Sequence, residues 1–344
     1  MKDPLSDREQ RVLEAIVQSY VESAEPVGSR TIAKRFGLGV SAATIRNAMS
    51  DLEEKGYLFH PHTSAGRVPT DRAYRLYVDA LMGQPRVTRE EREALRGLSA
   101  DGSAVTAVLR RAAEVLGVLT QELGVAVAPA LDEIVLERLD LVSVTSERLL
   151  LVLALKSGVV RTIFVQVPRS VNPNAVAGIA VVLNERLAGL TLRAIRQTLP
   201  ERLRDTAATP EQGELLDIFL ATGDQIFDPP PDASADVVLG QTSVLAGQPE
   251  FASGDKLREL VSLTEQRDVL RRVLGLRAQT RSLTITIGGE NESRELANLT
   301  LVTSPYAAGP LTGVIGVLGP TRMPYDKVVA LVEHTSKMVS DLLR

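Results

Sequence analysis

The sequence predicts a multidomain α+β protein. Three observations predict it. The first eighty residues carry three helical periodicities and then two short extended runs. Extended runs return at residues 135–167 and again at 282–318. Between these two sets lies a mainly helical stretch, residues 171–276. The 344 residues suffice for two or three domains with sizeable cores. Aromatic residues make up 3% and Trp is absent, so those cores must be built from Leu, Val, Ile and Ala.

The elements follow in order from their boundary signals. Ser6 with Glu9 three residues on is a capping box, and it opens a helix with Val12, Leu13, Ile16, Val17, Tyr20 and Val21 on one face. Pro26 follows its end. A second short helix is predicted over residues 29–36, with Ile32, Ala33 and Phe36 inward, and Gly37-Leu38-Gly39 forms a tight turn after it. Ser41 caps a third helix ending near Gly56, whose buried face holds Ile45, Ala48, Met49 and Leu52. Two helices joined by such a turn are a helix-turn-helix. Next come Tyr57-Leu58-Phe59-His60-Pro61, the polar tip His62-Thr63-Ser64-Ala65-Gly66, and Arg67-Val68-Pro69. That pattern is a β-hairpin, and a hairpin directly behind the third helix is a wing.

Net charge is −4, which does not favour bulk attraction to nucleic acid, but distribution decides more than the sum. Residues 1–84 hold 11 basic and 11 acidic side chains. Between Pro26 and Ser50 stand Arg30, Lys34, Arg35 and Arg46 with no acid, a local positive edge on a neutral segment. The outward face of the third helix is left to Ala43, Thr44, Arg46, Asn47 and Ser50. Arg pairs bidentately with guanine and Asn with adenine, while small residues let a helix approach the groove floor. Arg46 and Asn47 are therefore the candidates for base readout, with Thr44 and Ala43 lining the contact. The second and third helices also begin without the Asp or Glu that starts the first, and the second carries Arg30 there. That choice suits helix starts that face phosphate. Ser29, Arg30, Thr31 and Ser41 are the candidates to hold phosphates, and His62 and Arg67 to touch backbone or minor groove from the wing.

Beyond Gly83-Gln84-Pro85 a charged stretch reads as a linker, residues 84–102. A helix is predicted over 103–123, then three strands at 135–144, 148–155 and 159–167. The helical stretch follows as segments 174–187, 192–203, 210–227 and 254–276, with one strand near 237–240. Strands at 282–287, 299–303 and 313–318 and a final helix over 325–343 complete the chain. The layout implies one α+β domain carrying an insertion.

The residues do not recommend an enzyme or a cofactor. With no cysteine there is no disulfide, thiolate metal site or thiol nucleophile, which suits a reducing cytoplasm. No signal peptide is visible at the start, and the longest apolar stretch is too short to span a bilayer. Gly313-x-x-Gly316-x-x-Gly319 lies inside an apolar strand and lacks the spacing of a dinucleotide fingerprint, so close strand–helix packing is its expected role. His60 and His62 have no third ligand near them and read as hairpin residues facing phosphate or solvent, not as metal ligands.

Three stretches, Pro26 to Ala33, Ser41 to Glu53 and His62 to Thr70, together with Gly313-Val314-Ile315-Gly316-Val317-Leu318-Gly319-Pro320-Thr321-Arg322-Met323-Pro324-Tyr325, make the chain resemble the HrcA family of heat-inducible transcription repressors. The resemblance implies a winged helix-turn-helix at 1–83, a GAF-like domain in two parts (103–170 and 277–344), and an inserted dimerisation domain at 171–276. It implies a homodimer on double-stranded DNA carrying an inverted-repeat operator upstream of chaperone genes, activity helped by a GroEL-type chaperonin, and Arg67 as a wing contact. An alternative is a winged-helix regulator whose GAF-like domain senses a small molecule.

Overall fold

The computed structural model describes residues 4–62, 66–83, 86–97, 105–129, 134–156, 160–167, 171–204, 206–227, 237–308 and 311–343. The chain divides into two compact units. The first comprises Met1–Val127, Val237–Tyr306 and Val314–Leu342; the second comprises Ala128–Asp236 with Ala307–Gly313.

The first unit opens with α1 (Asp7–Ser23), α2 (Ser29–Arg35) and α3 (Ala42–Glu54), then the hairpin strands β1 (Leu58–Phe59) and β2 (Val68–Pro69), then α4 (Asp71–Leu76), which runs into a π-helical turn at Tyr77–Leu81. The predicted capping box is present: Ser6 accepts from the Glu9 amide, and Glu9 accepts from the Ser6 amide at 2.7 Å. The predicted core positions Val12, Leu13, Ile16, Val17, Ile32, Ile45, Ala48, Met49 and Leu52 are all buried.

The expected linker is not featureless. It contains α5 (Arg89–Arg96), which starts with a capping box between Thr88 and Glu91. Next are α6 (Val105–Thr120) and β3 (Leu123–Val127), a strand absent from the sequence prediction. Gln121, at φ 60, turns the chain from helix to strand, and all five β3 residues are buried. β3 is an inner strand of the unit's five-stranded sheet, whose order is β7 (Val237–Leu239), β3, β10 (Leu311–Pro320), β9 (Leu299–Ala308), β8 (Thr284–Ile287). Pairing is antiparallel at β7–β3, β3–β10 and β8–β9. At Gly316 an added Cβ would strike the Val302 carbonyl of β9, so this glycine serves strand–strand approach and not the expected strand–helix packing.

The second unit holds β4 (Leu136–Thr145), β5 (Arg148–Leu155) and β6 (Val160–Gln166) as an antiparallel meander, with α7 (Pro173–Leu187), α8 (Leu192–Arg202) and α9 (Pro210–Phe227). Leu149, Leu151, Leu153 and Leu155 on one face of β5 join Ile179, Leu183, Ile195 and Phe219 from the helices in one core. That shared core corrects the expected division at 170/171, which would have cut the sheet from the helices that cover it. The expected boundary at 276/277 also moves, because α10 (Ser243–Ala246), α11 (Gly254–Glu265) and α12 (Arg267–Ala278) belong to the first unit. α11 and α12 were expected as one helix; they break at Gln266, whose ψ of 60° leaves the helical region. The final helix α13 (Tyr325–Leu342) buries Val328, Leu331, Val332, Thr335 and Val339.

Glu122, at the start of β3, is buried beside Gln248, whose side-chain amide donates to its carboxyl at 3.1 Å. Burial pushes its pKa well above the usual carboxylate range, an effect that Gln248 and the nearby Arg322 offset only in part and that Glu250 adds to. An acid whose folded pKa is raised contributes stability that is full below its unfolded value of about 4.3 and is lost as pH rises toward the folded value. Glu122→Gln removes that proton linkage while keeping the shape and an acceptor for Gln248. Its melting temperature should therefore gain on the wild type as the buffer goes from about pH 6 to about pH 9; a gap that stays constant across that range contradicts the assignment.

Candidate nucleic-acid interface

The interface is built on α3, which has two faces of opposite character. Ile45, Ala48, Met49 and Leu52 seat it on α1 and α2. Ala43, Arg46 and Asn47 are exposed, and with half-buried Ser50 they fall at i, i+3, i+4 and i+7 on a single stripe. The Ser50 hydroxyl donates to the Arg46 carbonyl at 3.2 Å, which keeps it on the helix surface. Ser41 caps α3 by accepting from the Thr44 amide at 3.2 Å, and its hydroxyl lies 3.0 Å from that of Thr44. The acids of α3, Asp51, Glu53 and Glu54, are confined to its C-terminal half, so the amino end offers positive and neutral groups only.

α2 starts at Gly28 with no side-chain cap. Arg30 and Thr31 are exposed there, whereas Ser29 is buried and turned inward. Of the four bases of the positive edge, Arg35 is ion-paired with Glu22 of α1.

The hairpin is bound to this helical frame at three places. Its register is Leu58 opposite Pro69 and Phe59 opposite Val68. Val27, in the α1–α2 connection, exchanges two backbone hydrogen bonds with Arg67, at 2.8 and 2.9 Å. The Thr70 hydroxyl donates to the Gly56 carbonyl at 2.9 Å. Glu53 then gathers both strands from α3: His60 Nδ1 donates to one carboxylate oxygen at 2.6 Å and Arg67 Nη2 to the other at 2.9 Å. His62 is exposed, and residues 63–65 of the predicted tip lie outside the described residues.

Two expected contacts therefore have other duties. The Arg67 side chain is only 15% exposed and is spent on Glu53, so it ties hairpin to helix and does not reach outward. Ser29 packs inside. Sequence reasoning missed Glu53. Its signal was available in part: an acid near the end of the helix, followed by a His and an Arg beside the two hairpin strands.

Gly66 is where the hairpin passes closest to the frame. An added Cβ would collide with the Val27 carbonyl and the Pro26 backbone, which cannot step aside without breaking the Val27–Arg67 pairing. Gly66→Ala is expected to cost about 1–3 kcal/mol of stability and to weaken binding to every DNA sequence. Calorimetric melting and gel shifts check both effects, and an unchanged melting temperature would refute the close approach.

Among the described residues no group of three or more His, Asp or Glu side chains is placed to hold a metal ion. Among the same residues no helix is long and apolar enough to cross a membrane. In the first unit a cleft of about 510 Å³ is lined by Asp255, Arg258, Glu259, Gln266, Arg294 and Glu295. On α11, Arg258 of this lining pairs with Asp255, and Glu259 with Lys256.

The family described as "HrcA protein C terminal domain" matches residues 106–329. A protein of Chlorobium phaeovibrioides named "Heat-inducible transcription repressor HrcA" is 39% identical over 98% of both chains. The protein of the same name from Chlorobium phaeobacteroides is 40% identical, again over 98% of each. A crystal structure described as that of a hypothetical protein superposes with a TM-score of 0.64 at 22% identity, covering 99% of each chain, and so shares the fold. The mixed α+β architecture and these relatives define a transcription-repressor class of protein. The chain belongs to the HrcA family of heat-inducible transcription repressors.

Proposed function

We propose that this chain represses chaperone genes under heat-shock control by binding an inverted-repeat operator as a dimer. The three helices and hairpin of the first unit then act as a winged helix-turn-helix, and the five-stranded sheet with its helices as a GAF-like domain. The observation that carries this reading is the exposed stripe Ala43, Arg46 and Asn47 on a helix whose other face is fully buried. Such a helix can enter the major groove, Arg46 and Asn47 reading base edges while Ala43 and Thr44 permit close approach. Arg30, Thr31, Ser41 and His62 would face the sugar-phosphate backbone, with Ser29 and Arg67 supporting them from behind.

One such module reads too few base pairs for useful specificity, so two copies are needed. The dimer surface is better supplied by the meander of the second unit than by its helices, which the family resemblance placed in a dimerisation domain. The sheet face away from the core is open and largely apolar: Val142, Val144, Val160 and Phe164 are exposed, Leu150 lies between Val142 and Phe164, and Val152 lies between Asp140 and Thr162. Help from a GroEL-type chaperonin and a cytoplasmic location complete the proposal; both rest on family membership.

Arg30 supplies the test. Arg30→Ala should weaken binding to all sequences alike and lower the slope of log affinity against log salt by about one. A selective loss for the operator alone would place Arg30 on the bases and contradict the proposed docking.

A further inference from the structure

Two arginines join the DNA-binding segment to the sheet domain within the first unit, and they reach in opposite directions. Arg322, just after β10, is 14% exposed. Its Nε and Nη2 grip the two Glu250 oxygens at 2.5 and 2.9 Å, and its Nη1 donates to the Val21 carbonyl of α1 at 2.7 Å. Val21 is in the last turn of α1, where carbonyls lack helical partners and no basic residue of α1 itself stands. The missing cation comes from the sheet domain. Arg75 of α4 makes the reciprocal reach, with Nε and Nη2 on Glu290 at 2.8 and 2.5 Å and Nη2 also on the Ile285 carbonyl at 2.8 Å. Asp71, one turn earlier, accepts from the Gly289 amide at 3.0 Å. Between the two forks the rings of Tyr74 and Tyr325 meet at 5.8 Å.

We infer that Arg322 and Arg75 are positioning residues for operator binding: they fix the orientation of α3 on the body of the protein, and so set which half-site spacing the dimer accepts. None of their contacts touches the exposed stripe of α3. A fork with paired donors fixes direction as well as distance, which a single flexible cation does not. The Arg322 fork is closed on Glu250 and holds one donor against the end of α1, and the Arg75 fork runs from α4 onto Glu290, so the helical segment is held to the sheet domain at two separate points. A dimer with rigidly held heads binds tightly only where both half-sites fall under them; loosely held heads accept several spacings and gain less from the second contact. The inference rests on the proposed dimeric reading of an inverted repeat.

The full chain is tested as wild type, Arg322→Lys, Arg75→Lys and the double variant. Lysine keeps the charge and removes the fork. Asp71→Asn is a milder variant for use if the lysine variants melt early. Affinities are measured for a single half-site and for inverted repeats whose spacer is lengthened or shortened in single base pairs. The wild type should favour one spacing. The double variant should bind the half-site within about twofold of wild type, yet lose about tenfold or more of the advantage of the best spacing.

A readout without DNA accompanies this. The chain has no cysteine, so Asp51→Cys on α3 and Glu333→Cys on α13, both exposed positions, can carry spin labels in protein mixed with excess unlabelled chain. The label-to-label distance distribution should be narrow in the wild-type background and broaden in the lysine variants. Retained spacing preference with an unchanged distance distribution overturns the inference and leaves the forks as stability contacts. A wild type that prefers no inverted repeat to scrambled DNA overturns the proposed function instead, and the distance distribution then judges the forks alone.

Discussion

Arg46→Ala is expected to weaken operator binding about 10- to 100-fold while leaving affinity for unrelated DNA within about threefold, a loss of about 1–3 kcal/mol confined to the specific complex. Arg46 is exposed beside Asn47 and Ala43, and its backbone carbonyl is already held by Ser50. Truncation removes a bidentate donor and leaves the helix intact, because the buried residues that seat α3 are on its other face. Stability should change by no more than about 0.5 kcal/mol, as for an ordinary surface substitution. Gel shifts against the operator and single-base variants check both parts. Preference for one base pair should relax at a single position in each half-site, and selectivity preserved at every position would take α3 out of the groove.

Phe164→Asp is expected to convert the proposed dimer to monomer with little effect on the fold of the monomer. Phe164 stands on β6, opposite Leu150 of β5, which in turn stands opposite Val142 of β4, so the three make one row across the open face of the meander. Phe164 is 55% and Val142 49% exposed in the single chain, and the Arg148 guanidinium lies 4.6 Å from the Phe164 ring centre. A carboxylate at the end of that row costs little in water. In a dry interface it is a buried unpaired charge, and loss of an aromatic anchor alone removes about 2–4 kcal/mol. Sedimentation equilibrium should show a shift to monomer, and the advantage of a full inverted repeat over one half-site should vanish with it. A variant that remains dimeric would move the interface elsewhere, the second unit's helices being the next surface to test.

The parts of the fold with local signals were legible in the sequence. α1 carries its own capping box, and α3 its cap at Ser41 and a clean apolar stripe. β3 was hidden because Leu123–Val127 is a short, wholly buried apolar run directly behind a helix, which periodicity cannot separate from helix; only the left-handed Gln121 marks the change. α5 had a readable signal in Thr88 and Glu91 and was passed over for its charge. The unit boundary was hidden for another reason. The meander looks like more of the same sheet until one sees that β5 packs on α7 to α9.

The interface divided along the same line. The outward face of α3 could be read from spacing. The inward turn of Arg67 could not, because Glu53 is fourteen residues away and meets it only once the hairpin folds back. The Arg322 bond to Val21 and the Arg75 fork on Glu290 join residues more than two hundred positions apart, beyond any local pattern.

The central claim is that this chain recognises an inverted repeat with two copies of α3 and its hairpin. A footprint of the purified full chain on its own upstream DNA tests it most directly, with and without a GroEL-type chaperonin. Two protected major-groove segments related by a two-fold axis are predicted, with guanines contacted in each arm in the wild type and lost from both arms in Arg46→Ala. Uniform protection with no symmetric site, or a symmetric footprint unchanged by Arg46→Ala, would contradict it.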